Sequence, residues 1–269
     1  MSDVMRFTIL GCGSSPGVPR ITGDWGNCDP DNPKNRRLRS SMLVERIASN
    51  GDKTVVVVDT GPDFREQMVR AEVNRIDAVV YTHAHADHIH GIDDLRGYWH
   101  EHKKLIDVYV DAFTAQRLHE SFGYCFQTPL GSYYPPILRE HRIVHHQPFE
   151  IVGDGGAITF EPLPQQHGSI ISLGFRIGDV AYCSDVSDFP VSSIERLSDL
   201  DVLVIDALQY RPHPTHISLE ESLGWIKRFT PHRAILTHMH TPLDYETVLV
   251  ETPKDVEPGF DGLQFEFSL

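Results

Sequence analysis

One stretch of the chain, Val79–Gly91, limits more than any other what this sequence can fold into. It reads VVYTHAHADHIHG and places His83, His85, Asp87 and His88 within six positions. The apolar residues before them predict the end of a buried strand, and the last two open a segment of helical character. We therefore expect an α/β fold with these side chains at the carboxyl edge of a sheet, where such folds bind their ligands.

The chemistry of these four side chains suits a divalent metal ion. Neutral imidazole nitrogens bind zinc, iron or manganese, while the carboxylate adds negative charge and can bind a second ion. The alternative interpretation is that they are solvated loop residues, as single histidines usually are. Because three histidines and an aspartate share one turn, the spacing HxHxDH favours a metal site. The sequence does not choose among Mn²⁺, Zn²⁺ and Fe²⁺, all of which accept such mixed donors.

Composition limits the partners of the chain. Its 24 basic and 38 acidic residues give a formal charge of −14, which opposes general attraction to nucleic acid but allows a small anionic substrate at a metal. No apolar stretch approaches the roughly 20 residues that span a bilayer, so we expect no membrane contact and a cytoplasmic location. The length of 269 residues predicts a single domain, residues 1–269. The four cysteines, Cys12, Cys28, Cys125 and Cys183, form no CxxC pair and are expected to be buried thiols.

Two motifs carry a resemblance to a known family. LGCGSSPGVP near the N-terminus and THAHADHIHGIDDLR in the central stretch resemble the metallo-β-lactamase superfamily of binuclear metallohydrolases. Within it, the chain is most similar to the cyclic phosphodiesterases of phosphonate degradation, which open a phosphoribosyl cyclic phosphate, and less similar to ribonuclease Z. The resemblance implies an αββα sandwich, in which two facing mixed β-sheets have helices on the outside and the metals at one edge between them.

Three later strands each lead to one further candidate ligand. Predicted strands at Ile158–Leu163, Val180–Cys183 and Arg233–Thr237 are followed by His167, Asp185 and His238, the first of these in a loop spanning Pro164–Ser169. The resemblance implies two divalent ions: His83, His85 and His167 on one, Asp87, His88 and His238 on the other, and Asp185 bridging both. Two ions so placed can share a hydroxide that acts as the nucleophile.

The candidate catalytic residues are His216 and the ligand Asp87. By resemblance, His216 is the histidine outside the ligand set that protonates the leaving alkoxide of a phosphodiester. Asp59 ends a strand predicted to be buried on both faces, and it either caps the following helix or orients the metal-ligand loop. Ser14 and Ser15 lie in a glycine-rich turn that approaches the site or is merely a turn, and His240 is a pocket residue or has no role.

Two segments leave questions open. The polar stretch Ile21–Arg39 corresponds to a region where the resembling enzymes hold a structural zinc with several cysteines. Only Cys28 is present here, so we expect no third metal. The loop Gln127–Pro136, with two tyrosines, either covers the substrate or packs on the surface, and the sequence does not decide between them.

The function expected from these observations is metal-dependent hydrolysis of a cyclic ribosyl phosphate or a similar small, nucleotide-like phosphodiester. The alternatives are a ribonuclease Z-like activity on RNA ends, thioester or lactam hydrolysis, and a protein that binds metal without catalysis. The intact set of candidate ligands argues against the last alternative. The resemblance also suggests a homodimer, for which no stretch of the sequence argues independently.

Overall fold

Two seven-stranded sheets form the centre of the molecule in a computed structural model that describes residues 2–269. The first sheet contains β1 (Val4–Gly11), β2 (Ser41–Ile47), β3 (Lys53–Val58), β4 (Ala78–Val80), β5 (Ile106–Val110), β6 (Leu138–Arg142) and β14 (Gln264–Ser268), in the order β14-β1-β2-β3-β4-β5-β6. The second contains β7 (Phe149–Gly153), β8 (Gly156–His167), β9 (Ile170–Ile177), β10 (Val180–Cys183), β11 (Val202–Asp206), β12 (Arg233–Thr237) and β13 (Val256–Pro258), in the order β13-β12-β11-β10-β9-β8-β7.

Seven α-helices connect the strands. They are α1 (Phe64–Arg70), α2 (Ala86–Ile89), α3 (Arg96–His102), α4 (Ala112–Phe126), α5 (Val191–Ile194), α6 (Leu219–Phe229) and α7 (Tyr245–Glu251), and short 3₁₀ helices span Pro33–Asn35 and Ile92–Leu95. Helix α6 begins with a capping box, in which the Ser218 hydroxyl and the Glu221 carboxylate each bond the other's backbone N–H. In residues 2–269 no helix is long and apolar enough to cross a membrane.

Both sheets contain parallel and antiparallel strands. The parallel strands of each sheet end at the same edge. Strands β3 to β6 run parallel in the first sheet, as do β10 to β13 in the second. Parallel neighbours bring their carboxyl ends to one edge, so the loops that follow them meet there.

Apolar side chains fill the space between the sheets and the space under the helices. Alternate residues of one strand serve the two cores, because successive side chains point to opposite faces. Val80 packs in the cluster shared with Phe160 and Val204 of the second sheet, whereas Val79 packs with Leu118 of α4. Strand β3 is buried on both faces, as its β-branched run predicted. The predicted αββα sandwich is confirmed.

Several sequence-based predictions of local structure need correction. His167 does not lie in a loop, because β8 continues to that residue and pairs His167 with Ile170 of β9. Strand β8 also begins at Gly156, before the predicted start at Ile158. The four cysteines are buried with free thiols, as predicted.

Candidate metal centre

The first sheet contributes four of the candidate ligands from one connection. Strand β4 ends at Val80, and the chain then turns into α2, whose short first turn contains Asp87 and His88. His83 and His88 are completely buried, Asp87 is nearly so, and His85 is exposed. The Nε2 atom of His83 lies 2.9 Å from Nδ1 of His85. The motif thus folds into one compact set of potential donors.

The second sheet delivers the other three ligands to the same place. His167 is the last residue of β8, while Asp185 and His238 follow β10 and β12. Nε2 of His167 lies 3.2 Å from Nδ1 of His85. An Asp185 oxygen lies 3.1 Å from Nδ1 of His238 and 3.2 Å from Nε2 of His88. All seven residues therefore face one another across the edge between the sheets.

The grouping of donor atoms indicates divalent metal binding. Four sets of three donors have ligand atoms within 4.8 Å of one another: His83, His85 and His167; His83, His88 and Asp185; Asp87, Asp185 and His238; and His167, Asp185 and His216. Asp185 belongs to three of the sets, which is the position that a bridging carboxylate requires. His216 belongs to one of them, so it lies close enough to reach a group held by the ligands.

Orphaned buried atoms provide an independent test of whether these residues fit a metal. Nε2 of His88, Nε2 of His238 and one Asp185 oxygen are buried, and none of the three makes a hydrogen bond of good geometry among residues 2–269, although the His88 nitrogen and the Asp185 oxygen lie only 3.2 Å apart. Buried polar atoms are rarely left unpaired, because desolvation without a partner is unfavourable. Imidazole nitrogens and carboxylate oxygens are the donors that zinc and manganese accept. The donor set therefore fits divalent ions.

The buried candidate ligand histidines differ in the direction in which burial and nearby charge shift their pKa. Burial lowers the pKa of His83 well below its ordinary value and that of His167 to about 4, so both rings stay neutral, as ligands must. Burial is the largest single influence on His88 and His238 and opposes their protonation, but the neighbouring carboxylates, Asp185 foremost, together outweigh it and raise the pKa of both, that of His238 to about 9. In the metal-free protein, positive charge on these two rings would compensate the negative charge of the buried Asp185 carboxylate.

Asp59 is hydrogen-bonded to the loop that contains the candidate ligands. One of its oxygens accepts the Thr82 backbone N–H at 2.8 Å, and the other accepts the Thr82 hydroxyl and lies 2.7 Å from Nδ1 of His88. With Nδ1–H donated to Asp59, Nε2 of His88 faces the cluster, as a metal-bound imidazole requires. Helix α1 begins after Asp63, not Asp59, so the helix-cap alternative is wrong.

The serines of the glycine-rich turn lie against the site. The Ser15 hydroxyl donates to an Asp87 oxygen at 2.6 Å, and Ser14, which is buried, has its hydroxyl 3.0 Å from Nδ1 of His240. The turn is therefore part of the wall of the site. His240 adjoins the same turn through its contact with Ser14.

A buried carboxylate that sequence reasoning did not single out holds His216. Oδ2 of Asp206 lies 2.7 Å from Nδ1 of His216 and also accepts the backbone N–H of Val186. The His216 ring stacks on the ring of His238 at 4.6 Å between centroids and meets that of His167 edge-on at 4.7 Å. Asp206 ends the apolar strand β11, and a charged residue closing a buried run was the signal that could have marked it.

Comparison with known proteins gives one family match. Residues 54–239 match the model of the beta-lactamase superfamily domain. The chain is also 32% identical over 266 residues to a protein named octanoyltransferase from Porphyromonas gingivalis (strain ATCC BAA-308 / W83). That alignment covers 97% of this chain and 51% of the relative, so the chain spans about half the length of that protein.

Solved structures are similar over the whole chain. A structure described as a new diphosphatase from the PhnP family is 37% identical, with a TM-score of 0.87 and coverage of 99% of this chain and 98% of the other. Zinc-bound PqqB from Methylobacterium extorquens is 17% identical, with a TM-score of 0.73 and coverage of 97% and 99%. The short form of human tRNase Z is 16% identical, with a TM-score of 0.65 and coverage of 97% and 98%. The last two likenesses concern the fold alone.

Proposed function

Because the chain belongs to the beta-lactamase superfamily and, within it, to the PhnP family, we propose that this metal-dependent hydrolase is a binuclear phosphodiesterase for a cyclic ribosyl phosphate or a similar small phosphodiester. His83, His85 and His167 would hold one ion, Asp87, His88 and His238 the other, and Asp185 both. Such ions supply an activated water and neutralise the charge on phosphoryl oxygens.

The observation that carries the proposal is the pairing of His216 with Asp206. Asp206 accepts the Nδ1–H of His216, so Nε2 is the nitrogen left to give or take a proton at the cluster. An alkoxide is a poor leaving group without a proton, and His216 is placed to donate one to the departing oxygen of a phosphodiester.

Other chemistries of the superfamily make less use of this pair. A thiolate leaves without a proton, so hydrolysis of a thioester assigns no role to His216. The same holds for an octanoyl thioester, a substrate suggested by the name of the Porphyromonas gingivalis relative. The formal charge of −14 disfavours a long RNA substrate. These alternatives are best separated by direct turnover.

A substrate panel tests the proposal. Protein loaded with a defined metal is given a five-membered cyclic nucleoside phosphate, a linear phosphodiester, an octanoyl thioester, a β-lactam and a precursor tRNA. We expect the highest kcat/KM with the cyclic phosphate. A higher value with the thioester, the lactam or the tRNA would overturn the proposed substrate class.

A variant tests the role of His216 separately. His216→Ala should lose about 10²–10⁴-fold in rate with a poor alkyl leaving group and much less with p-nitrophenolate, which departs without a proton. Metal content should stay unchanged. His213→Ala is the matched control, because His213 is exposed and its ring centroid lies 5.4 Å from that of His216. Equal losses with the two leaving groups would remove the general-acid role.

A further inference from the structure

Arg37 is a buried arginine that forms no ion pair with a carboxylate in residues 2–269. Its side chain is only 1% exposed. One terminal nitrogen donates to the His240 carbonyl at 3.4 Å and lies 3.9 Å from the Cys28 sulfur, while the other donates to the side-chain oxygen of Asn35 at 3.3 Å. Nε has no partner among the described residues. A buried charge with only neutral partners is unfavourable, so its presence calls for an explanation.

The guanidinium holds the segment that follows the candidate ligand His238. It bonds the carbonyl of His240 directly. It also lies against the Cys28 thiol, which is 3.4 Å from the carbonyl oxygens of both Thr241 and Leu243. Three carbonyls of this segment are therefore bonded by Arg37 or by a side chain that touches it.

The backbone of Arg37 is joined to the glycine-rich turn on the other side. Arg37 and Val18 exchange two backbone hydrogen bonds, of 2.9 and 3.0 Å. A Cβ atom on Gly13 would lie 2.9 Å from the Cβ of Arg37. In the same turn, Ser15 donates to the candidate ligand Asp87. Arg37 thus ties together the turn that contacts Asp87 and the segment that follows His238.

We propose that Arg37 is a positioning residue for one of the two metal ions, because its guanidinium fixes the segment after His238 and thereby the ring of that ligand. The inference rests on the ligand assignment of the proposed function. The planar guanidinium presents five donors in a fixed fork, so it can hold several acceptors at once, which an apolar side chain cannot. None of its side-chain hydrogen bonds reaches His83, His85 or His167, the candidate ligands of the other ion.

Separate dissociation constants for the two ions test this role without turnover. Arg37→Met removes the donors and the charge but keeps a long buried side chain. Zinc binding is measured by competition with a chelator of known affinity. We expect one dissociation constant to rise by about 10–100-fold, the usual effect of losing a group that orients a metal ligand, and the other to stay unchanged.

A second background identifies which ion is affected. His238→Ala should lose the same ion, and adding Arg37→Met should then leave the affinity of the remaining ion unchanged, because both substitutions act through one ligand. Arg37→Lys keeps the charge and three donors, so it should recover part of the affinity lost in Arg37→Met. If Arg37→Met does not fold, Arg37→Lys is compared with the wild type instead, and again only one ion should bind more weakly.

Arg46→Met is the matched control. Arg46 also has a buried Nε without a partner among the described residues and donates to a carbonyl, that of Ala157 at 2.8 Å, but it lies beside the start of β3, away from the ligands. This variant should leave both dissociation constants unchanged. Equal weakening of both ions in the Arg37 variants, or no weakening of either, overturns the proposal. Two tightly bound ions in His238→Ala would instead contradict the ligand assignment and, with it, the role of Arg37.

Discussion

Three of the candidate site residues adopt backbone conformations that side chains usually avoid. Asp59, Asp185 and His238 have φ angles of 64°, 50° and 55°, in the left-handed region. Aspartate, asparagine and histidine are several-fold enriched among non-glycine residues with this conformation, and strained residues of this kind cluster at functional sites. Each follows the end of a buried strand. A left-handed residue there turns the chain sharply, so the side chain points into the edge between the sheets.

The central residue is Asp185, and its replacement should affect both ions. Asp185→Asn keeps the size and the tolerance of left-handed backbone but loses the negative charge between His88 and His238. We expect metal content, measured by plasma mass spectrometry, to fall below two ions per chain and activity to fall with it. Asp188→Asn, an exposed change three residues away, should leave both unaltered. Two tightly bound ions and near-normal turnover in Asp185→Asn would disprove the bridge.

Asp59 should affect metal affinity without touching a metal. Asp59→Asn replaces one of the carboxylate oxygens that hold Thr82 and His88 with an NH₂ group, so the His88 ring loses its fixed orientation. Removing such a partner of a metal-bound histidine typically lowers metal affinity by about 10–100-fold. Competition with a chelator of known affinity measures the change. An affinity equal to that of the wild type would mean that the loop holds His88 unaided.

At the scale of elements, the sequence predicted the strand ends best where a strand with a parallel neighbour leads to the candidate ligands. Strands β4, β10 and β12 are short apolar runs that stop at the site, and that pattern is visible in the residues alone. Strand β8 was predicted to end at Leu163, before Pro164, because proline lacks a backbone donor and is uncommon inside a sheet. In the structure Pro164 nevertheless pairs with Leu173 of β9. The contacts Asp206–His216 and Ser14–His240 could not be predicted, because only the packed fold brings these residues together.

Gly61 is where the loop after β3 touches the ligand segment. A Cβ atom there would lie 2.1 Å from the backbone oxygen of Asp87. Gly61→Ala should therefore displace the start of α2, with loss of metal and a fall in Tm of several degrees, since a strained close contact destabilises by a few kcal/mol. Gly97→Ala in α3 is the control: its Cβ meets nothing within 4 Å, and alanine favours the helix. Normal metal content in Gly61→Ala would contradict this close approach.

Asp261, in the connection between β13 and β14, ties two loops of the first sheet together. Its carboxylate accepts the backbone N–H groups of Cys12 and Leu38, and burial raises its pKa to about 7. The folded state then holds a proton that the unfolded chain releases near pH 4. The stabilisation from this retained proton is therefore complete below about pH 4 and is lost as the pH rises to about 7.

Urea unfolding of metal-free protein at pH 5 and pH 7.5 measures this effect, with Asp261→Asn as the non-titrating variant. Asparagine cannot accept both N–H groups through two oxygens, so the variant should be less stable than the wild type at pH 5. The difference between the two proteins should shrink by a few kcal/mol at pH 7.5, because only the wild type loses stability over this range. A difference that does not change with pH would show that Asp261 does not titrate there.

At the scale of the whole molecule, the ligands come from both sheets. Four follow β4 of the first sheet, and three lie at the ends of β8, β10 and β12 of the second. Bound ions should therefore fasten the two sheets to each other at this edge. At a free metal concentration 1,000 times Kd, binding to the folded state alone adds about 4 kcal/mol to the free energy of unfolding.

Removal of the metal should accordingly lower Tm by at least several degrees. Calorimetric scans with saturating zinc and after dialysis against a chelator measure the shift, and Asp185→Asn should show a smaller one. The same Tm in both scans would mean that the ions do not join the sheets.

This division of the ligands between the two sheets has a consequence for the order of events during folding. The segment that contains His83 can form locally, but its partners His167 and His238 lie 84 and 155 residues further along the chain. Contacts of such long sequence separation form slowly, because the intervening chain must first be ordered. A nascent chain that has emerged only as far as β6 lacks His167, Asp185 and His238 and cannot complete either site, so we expect ion capture to follow the docking of the second sheet.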